Sequence, residues 1–185
     1  LGKSVRGDFG TSLYFNLPVA SIIAERLPVT LVLGSAAFVL ALFVSVPLGI
    51  VASLNPGGII DRAALFFAVL GQAIPSFWLG LILIVVFGVW WGLVPISGAE
   101  NWRGYILPVI VLSYYAMPAL MRLTRAGMID VLGADYIRTA RAKGLSQGQI
   151  LLIHTLRNAI LPLVSLAAVQ LGLMLSGSIV IESVF

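Results

Sequence analysis

Four long intervals of the chain are rich in apolar residues and contain no Asp, Glu, Lys or Arg. A transmembrane helix needs about 20 predominantly apolar residues to cross the hydrocarbon core of a bilayer. The intervals therefore predict four spans, at about 28–54, 63–91, 106–123 and 159–178. Pro75 lies in the middle of the second span and predicts a bend there, because a proline removes a backbone N–H from the helix.

Small residues recur at every fourth position along two of these spans. The first span contains Ala37, Ala41, Ser45, Gly49 and Ser53, and the last contains Ala168, Gly172 and Ser176. Such stripes allow helix backbones to approach closely in lipid. Two interpretations are open, namely packing within this chain and an interface at which helices slide or subunits meet.

The composition supports a membrane protein and excludes several other classes. Of the 185 residues, 60% are hydrophobic and 10% are charged, whereas soluble domains carry about 25% charged residues. A soluble enzyme and a disordered chain are therefore excluded. The absence of cysteine excludes disulfides and thiol chemistry. The net charge of +4 is explained by cations that flank membrane spans, so no nucleic-acid partner is expected.

Loop charge predicts the orientation of the spans. The segments 55–62 and 122–157 together hold seven Lys and Arg residues, and the segments on the opposite side hold four. Because cytoplasmic loops are enriched in positive charge, we expect the two richer segments in the cytoplasm. The residues before the first span would then lie outside, so we expect a longer chain with another span upstream.

The polar residues within the predicted spans are uncharged. Their lack of ionisable groups argues against a proton-coupled carrier, and no cluster of ligands predicts a metal site. Gln72 and Ser76, about one turn apart, are expected on one helix face beside the bend at Pro75. With Phe77 and Gln170 they form the expected lining of a weakly polar passage, although helix packing explains the same residues equally well.

The segment 122–157 has the pattern of two short helices. Asp135 is the expected N-cap of a first helix over 136–143, with cations in its last turn and Gly144 at its end. Ser146 and Gln149 form the expected capping box of a second helix that leads into the last span. We interpret residues 130–157 as a structured, basic cytoplasmic segment. The alternative is a solvated loop whose positive charges only fix the topology.

Two stretches of this segment resemble a known family. Residues 136–146 (YIRTARAKGLS) and 154–162 (HTLRNAILP) resemble the coupling segment of bacterial ATP-binding-cassette (ABC) importer permeases, specifically the first permease of the dipeptide, oligopeptide and nickel class. Residues 7–12 with 25–30, 72–80 and 177–185 resemble further motifs of this family, in the same order. The general importer motif has Glu-Ala-Ala where this chain has Arg138-Thr139-Ala140, a departure that the peptide class shares.

The resemblance implies an all-α, polytopic transmembrane helical bundle of the type I ABC importer. Residues 1–185 would form a single permease domain that lacks the family's first and last spans. The implied role is transport rather than catalysis, in a bacterial or archaeal inner membrane and with no cofactor. The implied partners are a second permease subunit, two cytosolic ATP-binding subunits, an extracytoplasmic solute-binding protein and membrane lipid. The solute stays open among dipeptides, oligopeptides, nickel, glutathione and oligosaccharides.

The resemblance also implies where the ATPases dock. The implied set is Asp135, Arg138, Thr139, Ala140, Arg141, Lys143, Gly144, Leu145 and Ser146. Small Ala140 and Gly144 would permit close docking, and the cations would pair with acidic groups of the ATPase. The rival hypothesis is a self-sufficient channel or secondary transporter, for which ionisable residues or repeated broken helices inside the membrane would be expected.

Overall fold

The structure is a computed structural model that describes residues 9–96, 98 and 101–185, apart from the side chains of 177–180, 182 and 183. Within these residues the chain is helical, and its one β feature is an isolated bridge between Thr11 and Pro18. The expected all-α class is therefore confirmed. The expectations that rest on Lys3, on Arg6 and on the first residues of segment 7–12 lie outside the described residues.

The described chain contains seven α-helices, two of which continue into π-helical turns. They are α1 (Val19–Leu54), α2 (Ile59–Ala73), α3 (Ser76–Leu83, continued by π turns over Ile84–Trp90), α4 (Ile106–Leu132, preceded by a 3₁₀ turn over Trp102–Tyr105), α5 (Asp135–Ala142), α6 (Gln147–Gln149, continued by π turns over Ile150–Thr155) and α7 (Leu156–Val184). Three helical stretches are long and apolar enough to cross a membrane: Val19–Leu54, Trp102–Leu132 and Gln147–Ser176. The pair α2 and α3 meets the same test only when taken together.

Two helices extend beyond the expected boundaries and bring charged residues into the bundle. α4 continues to Leu132 instead of ending near 123, so Arg122 and Arg125 are helical rather than part of a loop. Asp61 lies in the first turn of α2, before the expected start at 63. The charge-free intervals end at the first charged residue, but backbone hydrogen bonding continues past it. Asp61, Arg122 and Arg125 lie outside or at the edge of the predicted spans, so the expectation that the interior of each span lacks ionisable residues stays a prediction.

The second predicted span is broken rather than gently bent. α2 and α3 meet at an angle of 98°. Ile74 has an extended backbone (φ −91°, ψ 121°), as the residue before a proline prefers, and α3 begins directly after Pro75. Gln72 and Ser76 therefore belong to two different helices, and the prediction that they share one helix face is wrong.

The main core lies between α1, α4 and α7, and the small residues of α1 face it. All five residues of the α1 stripe are buried. A Cβ atom on Gly49 would lie 2.8 Å from the Met121 carbonyl oxygen and 2.8 Å from Thr124 Cβ. The α1 stripe thus serves packing within the chain, because only glycine allows this approach of α1 to α4.

The small residues of α7 have the opposite environment. Ala168, Gly172 and Ser176 are all exposed, and a Cβ atom on Gly172 would meet nothing within 4 Å. In the described chain, α7 buries instead a different face, which carries Leu163, Ala167, Gln170 and Met174. The stripe on α7 is therefore free to contact another molecule.

Candidate coupling segment and transport pathway

The segment around α5 has a small hydrophobic core of its own. Ile137, Ala140 and Ile150 are buried together, with Val131 and Leu145 packed against them. This core joins α5 to the end of α4 and to the π turns before α7, and it is distinct from the main core. The segment is thus a structured unit rather than a solvated loop.

The surface of α5 that faces away from this core is basic. Arg138, Arg141 and Lys143 are exposed, as are Thr139 and Gly144. Arg138 contacts Asp135 at 3.2 Å, but with 76% and 94% of the two side chains exposed such a pair contributes little stability. Within the described residues, Arg141 and Lys143 form no ion pair. The segment therefore presents cations that a carboxylate of another protein can bind.

Three of the expected docking residues are positioned differently from the exposed cations. Ala140 is only 9% exposed and packs in the small core, so it is not part of the exposed surface. Leu145 is half-buried against the same core. Asp135 is the first residue of α5 and its N-cap is Ala134, whose ψ of 149° is extended. The carboxylate of Asp135 still lies in the first turn, where it complements the helix dipole.

The turn between α5 and α6 agrees with the predicted signals. Gly144 has φ +78°, a left-handed conformation that favours glycine and ends α5. Ser146 and Gln149 form the predicted capping box. The Gln149 N–H donates to Ser146 Oγ at 3.4 Å, and the Ser146 N–H donates to Gln149 Oε1 at 3.1 Å. Both signals are local in sequence, and both are confirmed.

A hydrogen bond that the sequence analysis missed connects α5 to α7. Asn158 Nδ2 donates to Tyr136 Oη at 3.0 Å and to the His154 carbonyl oxygen at 2.9 Å. The π turns directly before α7 are stabilised by Thr155 Oγ1, which donates to the Ile150 carbonyl oxygen at 2.9 Å. Single π turns inside helices often occur at functional sites. α5 and α7 are thus joined by side chains as well as by backbone.

The expected pathway residues divide between two places. Gln72, Pro75 and Phe77 are exposed at the bend between α2 and α3. Ser76 is half-buried and lines a cavity of about 320 Å³ together with residues of α4 and α7. Gln170 does not join them, because it is buried on α7 and is not among the residues that line this cavity. The structure therefore groups four of the five and separates Gln170.

A buried ion pair between α2 and α4 was not predicted. Asp61 is 2% exposed and binds Arg125 through both carboxylate oxygens, with Arg125 Nη2 at 2.7 Å from Oδ2 and Arg125 Nε bound to Oδ1. The Gly57 N–H donates to Asp61 Oδ2 at 2.7 Å. The two residues are 64 positions apart, so no local pattern indicates the pair. The one available signal was an acidic residue that directly follows a tight turn on the positively charged side.

Comparisons with known proteins agree with this architecture. Residues 45–185 match the family described as "Binding-protein-dependent transport system inner membrane component". The chain is similar to the oligopeptide transport system permease protein AppB of Bacillus subtilis (strain 168), with 42% identity over 196 residues, covering 100% of this chain and 62% of the relative. It is also similar to the glutathione transport system permease protein GsiC of Escherichia coli (strain K12), with 43% identity over 185 residues, covering 100% of this chain and 60% of the relative. The chain thus spans about 60% of the length of these relatives.

Proposed function

The chain belongs to the family of binding-protein-dependent transport system inner-membrane components, and from this premise we propose that it is a permease subunit of an ATP-driven peptide importer. The ABC importer role and the peptide and nickel class rest on the family and on the named relatives. The proposal extends this role to a peptide-like solute, since the two relatives are named for oligopeptides and for glutathione. We place the protein in a bacterial inner membrane.

The exposed basic surface of the α5 segment is the observation that carries the coupling role. Because the segment has its own hydrophobic core, a partner that displaces α5 moves the whole segment as a unit. Arg138, Arg141 and Lys143 offer the charge, and Gly144 leaves open space beside them. We propose that two cytosolic ATPases drive transport by binding this surface and the equivalent surface of a second permease. Ala140 and Leu145 support the surface from within.

The hydrogen bond between α5 and α7 provides a way for a displacement of α5 to be transmitted to a membrane-spanning helix. Displacement of α5 pulls on Asn158 through Tyr136, and Asn158 lies in the first turn of α7. The π turns before α7 provide a point at which the helix can change pitch, because their hydrogen bonds span five residues instead of four. We propose that binding of ATP outside this chain is converted into movement of α7 by this connection.

The exposed small-residue stripe of α7 supports a second permease as neighbour. Helices in lipid associate through small residues that allow close backbone approach, and Ala168, Gly172 and Ser176 are exposed on α7. A translocation pathway between the two permeases would receive solute from an extracytoplasmic binding protein. The bend at Pro75 and the cavity that contains Ser76 are the proposed lining in this chain.

Purification of the complete transporter from its own host tests the proposal. The wild-type chain is expected to bring down a second permease and the ATPases, and Gly144→Glu is expected to lose the ATPases while it keeps the second permease. Gly92→Glu is the matched control, because Gly92 also has a positive φ (+61°) and open space but lies in the loop after the α3 helix.

Two results would contradict the proposal in different ways. If Gly144→Glu retains the ATPases as well as Gly92→Glu does, the α5 segment is not the docking surface. If the wild-type chain is purified without any ATPase, the importer role of this chain is wrong and a self-sufficient channel or secondary transporter takes its place.

A further inference from the structure

Arg122 differs from its neighbour Arg125 in what neutralises its charge. Arg125 is occupied by the Asp61 carboxylate. Arg122 Nη1 donates to Gln72 Oε1 at 3.0 Å, and this amide oxygen is uncharged. Within the described residues the ion pairs are Arg125–Asp61 and Arg138–Asp135, so Arg122 has no carboxylate partner there. A half-buried cation thus stands between two helices of the bundle without a counter-charge.

Arg122 does not line the cavity at the bend, but it lies on the same face of α4 as Tyr115, which does. Tyr115 and Arg122 are seven residues apart on α4, so they lie on the same helix face about two turns from each other. Tyr115, Ser76 and Ser176 bring three hydroxyl groups to the lining of the 320 Å³ cavity. The three hydroxyl groups therefore lie at the cavity, and Arg122 lies about two turns further along α4, towards its cytoplasmic end.

A guanidinium in a transmembrane helix is costly when it faces lipid, so such residues face the bundle interior or a water-filled cavity. Arginine has five N–H donors arranged as a rigid fork that matches a carboxylate in a bidentate way. The hydrogen bond to Gln72 uses one of these donors and orients the side chain. Within the described residues its other N–H donors have no protein partner, so they are available to an anion.

We propose that Arg122, oriented by Gln72, is a subsite for a carboxylate group of the transported solute. The inference rests on the proposed import function, and it adds the chemistry that this chain recognises. A solute that carries a carboxylate replaces the missing counter-charge as it passes from the cavity towards the cytoplasm.

The absence of cysteine in this chain allows a direct test in the complete transporter. Ser76→Cys places one thiol in the cavity with little change in size. Its reaction rates are measured with an anionic sulfonatoethyl and a cationic trimethylammonioethyl methanethiosulfonate, and labelling of this chain is followed by mass. We expect Arg122→Gln to lower the anion-to-cation rate ratio roughly tenfold, the effect of one charge about 10 Å away in a partly hydrated cleft. Arg122→Lys keeps the charge and is expected to keep most of the ratio.

The control is Arg103→Gln, which removes an equal charge at the opposite end of α4 and is expected to leave the ratio unchanged. A second measurement uses the unchanged Arg122 and therefore does not depend on folding of a variant at that position. At equal ionic strength, sodium acetate is expected to slow the anionic reagent relative to sodium chloride, because acetate occupies the carboxylate subsite.

The outcomes separate this inference from the proposed pathway. If both reagents modify the thiol introduced by Ser76→Cys, but neither Arg122→Gln nor acetate changes their rate ratio, the proposal of a carboxylate subsite is overturned. The proposed pathway lining is then unaffected. If neither reagent modifies that thiol, the cavity is closed to water and the pathway lining is overturned as well.

Discussion

The ion pair between Asp61 and Arg125 is expected to be the most sensitive polar contact in the described bundle. Asp61→Ala removes the carboxylate and leaves the Arg125 guanidinium, which is 22% exposed, without its partner. Breaking a buried pair from one side costs about 3–5 kcal/mol, and the partial exposure of Arg125 favours the lower end. For an isolated domain of this size, about 3 kcal/mol corresponds to a decrease of roughly 6–12 °C in Tm. The larger complete transporter is expected to show a smaller decrease, because the shift per kcal/mol falls as a protein grows.

The assay is thermal unfolding of the complete transporter in one detergent, measured for Asp61→Ala, Arg125→Ala and the double variant. Because either single variant leaves one charged group unpaired, the double variant is expected to be less destabilised than the sum of the two, with a coupling of about 2 kcal/mol. Asp135→Ala is the control, since it breaks the exposed pair with Arg138 and is expected to leave Tm unchanged. Additive effects of the two single variants, or a decrease no larger than that of Asp135→Ala, would refute the reasoning.

Two further predictions concern the coupling and the packing. Tyr136→Phe removes the hydroxyl oxygen that accepts the hydrogen bond from Asn158. We therefore expect severalfold less solute uptake per ATP hydrolysed, while the ATPases still co-purify. A wild-type ratio of uptake to ATP hydrolysis would contradict a role for this hydrogen bond. Gly49→Ala is expected to lower Tm because its Cβ would lie 2.8 Å from atoms of α4, whereas Gly148→Ala, in α6, has open space and is expected to keep or raise Tm. Equal Tm values for the two variants would show that α1 and α4 can separate without cost.

The features that the sequence predicted well are those set by neighbouring residues. Gly144 ends α5, and Ser146 and Gln149 cap the next helix, because each needs only residues within one turn. The small-residue stripe of α1 also predicted a packing face, because a spacing of four keeps residues on one side of a helix. Family motifs predicted the class of transporter, which the matched family confirms.

The features that were missed depend on residues far apart in the sequence. Asp61 and Arg125 are 64 positions apart, and the sequence pattern placed both of them in loops between the predicted spans. The stripe of α7 has the same spacing as that of α1 but is exposed, because spacing alone does not say which helix comes to cover it. Pro75 indicated a bend, but the angle of 98° depends on how α3 packs against α4 and α7.

The long separation between Asp61 and Arg125 has a consequence for the order of events during synthesis. A ribosome adds about 5–20 residues per second, so the 64 residues between the two side chains take roughly 3–13 s to make. Throughout that interval α2 has its carboxylate, but α3 and the first part of α4 must be made before Arg125 is added. The Asp61–Arg125 pair can therefore form only after most of the described helices before α5 have been made, so Asp61 has no such partner during the early part of synthesis.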